Sequence, residues 1–453
     1  MTPHRRKLID RLAVLLLLLI SFSPDFAVAG RDEHQAAKDN EGTAELETQL
    51  TEKPTLSALV TYAYQGSPAI KAARADWRAA IEKYRVDTAL DDPELMLEGM
   101  YMDDLYRDPS RPNDWQVTIT QALPLPGRLA KAGRVATTEA VIARLRLDSV
   151  VRDTTTSIRE TYQELLYLRE AKRLAAASRE QLDQLRKAGE TATSDRAALI
   201  DIMKAQAQSG QLQYDALLLQ ESERTEQTRL NSILNRDPDA PIGELADEPM
   251  LAMVYSLPEI YPLAESNLEE IRIARASIAK AQDAADLTRY DTLPQFKLGL
   301  AYGDINQAQQ VKVQAGFSLP LGFGKRAGRL GMAAAEVEKM RAMQNVQINE
   351  TRSVIHDTYF RLQNSERLVR LYRDDLIPQA NRAMQTAEIW FKEGQGSFSD
   401  YTETASVWYN FHLALARAKA DYGKFLAKME SLTGHSLTEL NSNKRSDESE
   451  KAK

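Results

Sequence analysis

Val117 to Arg128 reads VTITQALPLPGR, and Val313 to Arg326 reads VQAGFSLPLGFGKR. Each stretch alternates like a strand with one apolar face, reaches Leu-Pro-Leu, passes a glycine and meets a basic residue that opens a long helical segment. Proline has no N–H to give to a sheet ladder, so both strands are expected to stop there. A strand-to-helix junction written twice predicts two copies of one unit.

The duplication reaches well beyond these junctions. Ala73-Arg74-Ala75 returns as Ala274-Arg275-Ala276, Pro93 as Pro294, Tyr162 as Tyr359, and Gly189 with Ser194 and Asp195 as Gly394 with Ser399 and Asp400. The interval stays near two hundred residues, too long for a solenoid and suited to a duplicated half-protein. The expected units are 56–235 and 263–434, joined by a connector over 236–262 that carries five prolines, Pro238, Pro241, Pro249, Pro258 and Pro262.

The chain has 453 residues, a formal charge of −7 and no cysteine. The charge argues against nucleic acid as a partner. The missing cysteine excludes disulfides, thiolate metal sites, a cysteine nucleophile and an N-terminal lipid-modified cysteine. At the N-terminus, Arg5, Arg6 and Lys7 precede the apolar run Leu12 to Ile20, and Ala27-Val28-Ala29 offers a cleavage site. Residues 1–29 therefore read as a signal peptide, 30–55 as a flexible lead-in and 435–453 as a polar tail.

Four segments alternate. Leu95, Leu97 and Tyr101 oppose Glu94, Met96, Glu98, Met100 and Met102; Trp115, Val117 and Ile119 oppose Gln116, Thr118 and Thr120. Phe296, Leu298, Leu300 and Tyr302 oppose Lys297, Gly299, Ala301 and Gly303, and Val311, Val313, Ala315 and Phe317 oppose Lys312, Gln314, Gly316 and Ser318. Two hairpins, about 94–123 and 295–320, follow from these runs, each strand near the length that crosses a tilted bilayer. A soluble half-buried sheet would alternate alike.

The helices decide between the two. Arg128 to about Lys187 holds no proline, which makes a rod of roughly 90 Å at 1.5 Å per residue. In the second copy Ile348, Ile355, Leu362, Val369 and Leu376 recur every seven residues, the period of a left-handed coiled coil. Pro378 should kink that rod. The rods are expected to turn at two tips, about 187–197 and 392–402. Four strands cannot close a membrane barrel, and a lipid-exposed edge is not viable, so strands in a membrane demand an oligomer.

The export signal, the duplicated hairpin-and-rod units, Ser67 to Ala73 (SPAIKAA), LPLPGR, LPLGFGKR and Leu376 to Ala380 (LIPQA) resemble the TolC-type outer-membrane efflux ducts over about Leu56 to Gly434. The stretch Asp92 to Gly127 is similar to the branch serving heavy-metal efflux. The resemblance implies an α+β membrane duct: a homotrimer sharing a transmembrane β-barrel, four strands per chain, continued by an α-helical coiled-coil periplasmic tunnel. It also implies an outer-membrane location in a Gram-negative cell, contact with outer-membrane lipid, and a periplasmic adaptor and inner-membrane pump as partners. No cofactor or catalytic residue is implied.

By the same resemblance the periplasmic entrance lies at the tips. The matching acidic positions are Asp195, Asp400 and Glu403, a ring that would favour cations. Asp195 and Asp400 are also placed to cap returning helices. Gly189, Ser194, Phe391, Gly394, Gly396 and Ser399 are the matching contact and gating positions. Where relatives lock the tip with a tyrosine and an arginine, this chain has Phe391 and Gly396, whose side chains cannot donate, so packing is expected to hold the tip. Met96, Met100 and Met102 share the polar parity and could offer thioethers to soft cations, although methionine also serves as adaptable filler. The five histidines have no ligand spacing. A duct for metal cations is the leading reading; a duct for drugs or type I secretion and a periplasmic coiled-coil scaffold or adaptor are the alternatives.

Overall fold

The computed structural model describes residues 46–100, 114–192, 196–247, 249–305, 308–318, 322–393 and 395–438. The expected signal peptide lies outside them.

The first described residues correct one expectation. Residues 46–52, expected within a flexible lead-in, form a helix (α1), and Leu50 is fully buried against Leu59, Tyr162 and Leu230. Leu46 and Leu50 stand one helical turn apart and supply a narrow apolar face that the surrounding charges conceal.

Two helices follow, α2 (Leu56–Gly66) and α3 (Pro68–Thr88). The Thr55 hydroxyl caps α2 by accepting from the Ala58 N–H at 3.3 Å, and Pro68 takes the first turn of α3, where a missing N–H costs nothing. Strands β1 (Glu94–Met100) and β2 (Asp114–Leu123) precede α4 (Arg128–Ala192), 65 residues long and roughly 100 Å at 1.5 Å per residue. The chain returns along α5 (Arg196–Leu234). After the connector come α6 (Leu257–Asn267), α7 (Glu269–Asp291), β3 (Gln295–Ile305), β4 (Ala308–Ser318), α8 (Phe323–Arg370), α9 (Ile377–Lys392) and α10 (Phe398–Thr433). The connector ends sooner than expected, because Pro258 sits in the opening turn of α6, where proline is tolerated, and a Ser256–Glu259 capping box starts the helix.

The strands form one antiparallel sheet in the order β1-β2-β3-β4. Its register aligns Leu95, Ile119, Leu300 and Val313 across all four strands. Because side chains alternate, one face therefore holds Leu95, Leu97, Trp115, Ile119, Phe296, Leu298, Leu300, Val311, Val313 and Phe317, and every one of these is exposed. The other face is polar or small and more crowded, with Thr118 and Ala301 buried. A Cβ at Gly303 would strike the Trp115 carbonyl and the Gln116 backbone, so glycine is what lets β2 and β3 approach there.

Beside the sheet, α3, α4, α7 and α8 pack side by side in that order; farther along, the order is α5, α4, α10 and α8. The long α4 belongs to both groups and is tied to its neighbours by charge. Arg128 meets Asp291 at 2.7 Å, Lys131 meets Asp286 at 2.6 Å, and Glu139 accepts from Lys83 at 2.7 Å and lies 3.3 Å from Lys280. Further along, Arg152 forks onto Glu269 and Glu270, and Glu164 takes both Arg417 and Lys424.

Within α8 the heptad residues Ile355, Leu362 and Val369 are buried, and they alternate with buried Thr351, Thr358 and Ser365 at steps of four and three. That is the spacing of a coiled-coil seam, with small hydroxyl residues at every second position. Ile348 and Leu376 are only half-buried. Ahead of Pro378 the helix widens into a π-turn over Leu371–Leu376. Shifting bonds from i→i+4 to i→i+5 lets the rod pass a residue that has no N–H.

The connector is strapped to the helices through its carbonyls. Tyr162 Oη donates to Ala246 O at 2.6 Å, Tyr422 Oη to Leu251 O at 2.6 Å, and Arg169 to Gly243 O and Ile242 O at 2.6 and 3.0 Å. The start of the expected C-terminal tail also packs. Leu437 is fully buried beside Ile260, Ile355 and Met429, and Val254 N–H donates to its carbonyl at 3.1 Å.

Candidate functional site

The second tip is built by packing. Where α9 ends, Phe391 stands against Phe398 (ring centroids 5.7 Å apart, planes at 66°) and against Tyr401 at 6.0 Å. Phe398, Tyr401, Met384 and Ala205 are buried around it, joining α9, α10 and α5 in one apolar knot. Burial, with the Glu388 charge adding to it, pushes the Tyr401 phenol up to about 12, so it stays neutral. Gly396 contributes only its backbone N–H, which donates to Trp390 O at 3.1 Å alongside that of Gln395 at 2.8 Å. Two polar contacts extend the knot: Trp408 Nε1 donates to Asn381 Oδ1 at 2.6 Å, and Gln208 Nε2 to Ser406 Oγ at 2.8 Å.

The helix start beyond the turn assigns the caps. Ser397 is the N-cap of α10: its hydroxyl accepts from Asp400 N–H at 3.1 Å, while the Asp400 carboxylate accepts from Ser397 N–H at 3.4 Å. Asp400 is thus the returning half of a capping box rather than the cap itself, and it remains exposed, as do Ser399 and Glu403. Gly189 lies inside α4, which runs on to Ala192, so the glycine does not end the rod. Asp195, Ser194, Gly394 and Met102 lie outside the described residues.

The sheet carries the other candidates. Met96 sits on the polar face of β1 between Glu94 and Glu98, and Lys297 on β3 faces Glu94 at 3.5 Å. Met100 occupies the last position of β1. Among the described residues no group of three or more His, Asp or Glu side chains could hold a metal ion, and no helix is long and apolar enough to cross a membrane.

A cleft of about 1040 Å³ opens under the connector, between α4 and α10. Its wall is a mixture of ion pairs, including Glu170–Arg173 at 2.7 Å, and apolar side chains such as Leu166 and Leu415. His412 lines it, its ring centroid 4.2 Å from that of Trp408 with the planes tilted by 43°, and its Nε2 is buried without a hydrogen-bond partner among the described residues. Burial lowers the imidazole pKa against the smaller opposing pull of Glu170. Trp390, Met384, Tyr401 and Ala205 escaped sequence reasoning. The first three lie within one or two helical turns of Phe391 or Phe398, a spacing that could have found them, whereas Ala205 reaches the knot only through the fold.

Comparison with known proteins agrees with this arrangement. Residues 260–435 match the family model described as outer membrane efflux protein. No curated protein is matched significantly by sequence. Among solved structures, the outer membrane protein VceC of Vibrio cholerae superposes with a TM-score of 0.69 at 18% identity, covering 84% of this chain and 96% of VceC. The open-state outer membrane channel MtrE of Neisseria gonorrhoeae gives 0.72 at 14% identity, covering 84% and 89%. CusC, described in connection with transmembrane channel formation, gives 0.71 at 12% identity, covering 83% and 91%. The chain has the fold of TolC-type outer-membrane efflux proteins, and its second half carries their family pattern.

Proposed function

We propose that this chain, with the fold of the outer-membrane efflux channels, is the outer-membrane duct of a tripartite efflux system. Three copies of its four-stranded sheet make a twelve-stranded barrel in the membrane, and their rods continue it as a periplasmic tunnel that meets an adaptor and an inner-membrane pump. One observation carries the reading: a sheet whose apolar face exposes ten large apolar side chains and whose outer strands, β1 and β4, have no further partner among the described residues. In water such a face and such edges would aggregate. Lipid covers the face, and neighbouring copies take the edges.

The cargo we assign is metal cations. The wall facing the lumen then carries Glu94, Met96 and Glu98 on each β1, and the entrance carries Asp400 and Glu403, all exposed. Repeated in three copies, these carboxylates concentrate cations, and a thioether suits the soft ones.

Membrane fractionation of the expressed mature chain, followed by native mass measurement in mild detergent, tests the duct. An outer-membrane trimer is expected; a soluble periplasmic monomer overturns it in favour of a scaffold. Survival of a deletion strain on copper, silver and zinc salts, set against dyes and antibiotics, tests the cargo. Sensitivity to the dyes and antibiotics alone would remove the metal assignment and leave the duct.

A further inference from the structure

We infer that α8 of one copy is locked to α3 and the segment that follows it in the next copy by two ion pairs, Lys325 with Asp91 of the next copy and Glu336 with Arg78 of the next copy. The inference rests on the trimeric reading above and gives its helical seam a register.

Both layers of the protomer are open at the same two ends. The sheet ends at β1 and β4, and the helix row beside it ends at α3, which leads into β1, and at α8, which follows β4. Any ring of copies that joins β4 to the next β1 therefore brings α8 against the next α3.

The internal repeat says what that contact contains. In the protomer, the first-copy rod α4 packs on the second-copy helix α7. The seam would pair the second-copy rod α8 with the first-copy helix α3, the same contact with the copies exchanged. The α4–α7 contact carries five ion pairs: Arg128–Asp291 at 2.7 Å, Lys131–Asp286 at 2.6 Å and Glu139–Lys280 at 3.3 Å, and Arg152 with Glu269 and with Glu270. The rods are related by a shift of 197, the interval from Tyr162 to Tyr359 (359 minus 162), which carries Arg128 to Lys325 and Glu139 to Glu336. The short helices are related by a shift of 201, from Pro93 to Pro294 (294 minus 93), which carries Asp291 back to Leu90, beside Asp91, and Lys280 back to Ala79, beside Arg78. Two of the five pairs, Arg128–Asp291 and Glu139–Lys280, thus map onto opposite charges once the short-helix partner is moved by one residue, with the same sign on the rod as in the protomer; Lys131 and Arg152 map to Gly328 and Asn349, so their pairs have no counterpart in the seam.

The charges are free to be used. Lys325, Asp91 and Arg78 form no ion pair among the described residues, and Glu336 meets only Lys339 on its own helix, at 3.1 Å. Apolar side chains are exposed along the same two helices: Val86, 73% exposed, and Ile81 on α3; Met332, 74% exposed, Met343 and Val346 on α8. Burying these would supply the area, and the ion pairs would set the register.

The chain has no cysteine, so an introduced pair reports alone. Full-length Arg78→Cys/Glu336→Cys protein in outer membranes, treated with a short bis-maleimide, is expected to run as covalent dimers and trimers on a denaturing gel, while each single variant stays monomeric. Independently, Glu336→Lys should lower the temperature at which the trimer band is lost on unheated and graded-heating gels, and Arg78→Glu in the same chain should restore it. A wild-type monomer by native mass would overturn the trimer itself. A wild-type trimer that gives no ladder, with a Glu336→Lys defect that Arg78→Glu does not repair, would overturn this seam and leave the trimer standing.

Discussion

Phe391 stands edge-on to Phe398 across the second tip, their ring centroids 5.7 Å apart. This contact joins the end of α9 to the start of α10, and Phe391 and Gly396 have no side-chain donor for a hydrogen-bonded lock. Phe391→Ala removes an aromatic pair and part of a half-buried ring, about 2 kcal/mol of local packing. The expected result is a leakier channel: higher single-channel conductance in planar bilayers and greater entry of large antibiotics, with trimer yield unchanged. Phe391→Tyr, which keeps the ring, should behave as wild type. Identical conductance in Phe391→Ala and the parent would show that the tip is held elsewhere.

Glu223 on α5 is buried between Arg169 and Lys172 of α4, with Arg169 Nε donating to it at 2.9 Å. The same Arg169 holds the connector through two carbonyls, so Glu223→Ala should free the strap as well as unpair two cations. A cost of about 3 kcal/mol is expected, read as a lower thermal transition and as faster protease cleavage within 236–255. Burial pushes this carboxyl up, but Lys172 and Arg169 outweigh it and hold its pKa below the ordinary value near 4.5. A depressed carboxyl pKa stabilises the fold fully above the unfolded value and stops doing so as pH falls through the folded one. The connector should therefore become protease-sensitive below about pH 4.5, and Glu223→Ala should remove that step.

Val313 and Gln314 are neighbours on β4 that point to opposite faces. Val313→Arg places a charge in the middle of the exposed apolar face, where lipid would make it cost about 2 to 4 kcal/mol. Assembly in the outer membrane should fall sharply, with the chain recovered in the periplasm or degraded. Gln314→Arg, on the polar face, should assemble normally and shift the channel toward anions. Equal assembly of the two variants would mean that the apolar face does not meet lipid.

How far the sequence could be read differs from element to element, for physical reasons. The sheet faces were legible because a period of two leaves no freedom: once Leu95 and Val117 share a face, the polar parity of Met96 and Thr118 follows. Ile355, Leu362 and Val369 announced a seam, but its other half, Thr351, Thr358 and Ser365, is polar by composition and apolar only in use. The helix over 46–52 was hidden because its burial depends on Tyr162 and Leu230, more than a hundred residues away. Pro378 promised a kink, yet nothing local says that the rod passes it by a π-turn. At the tip, Phe391 and Asp400 could be picked out, while Ala205 and the Arg169–Glu223 strap depend on packing between separate helices.

Asp400 can be asked to separate its two roles. As the N3 residue of the capping box it accepts from Ser397 N–H, and as an exposed carboxylate at the entrance it contributes one charge per chain to the ring proposed with Glu403 and Asp195. Ser397→Ala removes the cap and leaves the charge, so it should destabilise the tip by about 1 kcal/mol without altering selectivity. Asp400→Asn keeps an oxygen that can accept from Ser397 and removes the charge, so it should lower the cation-to-anion permeability ratio with little change in thermal stability. Reversal potentials under a potassium chloride gradient measure the first quantity and thermal scans the second. Adding Glu403→Gln should lower the permeability ratio further, because both side chains are exposed on the same turn of α10. If Ser397→Ala and Asp400→Asn shift selectivity equally, the carboxylate acts only by holding the helix start, and the acidic ring has to be sought elsewhere on the tunnel.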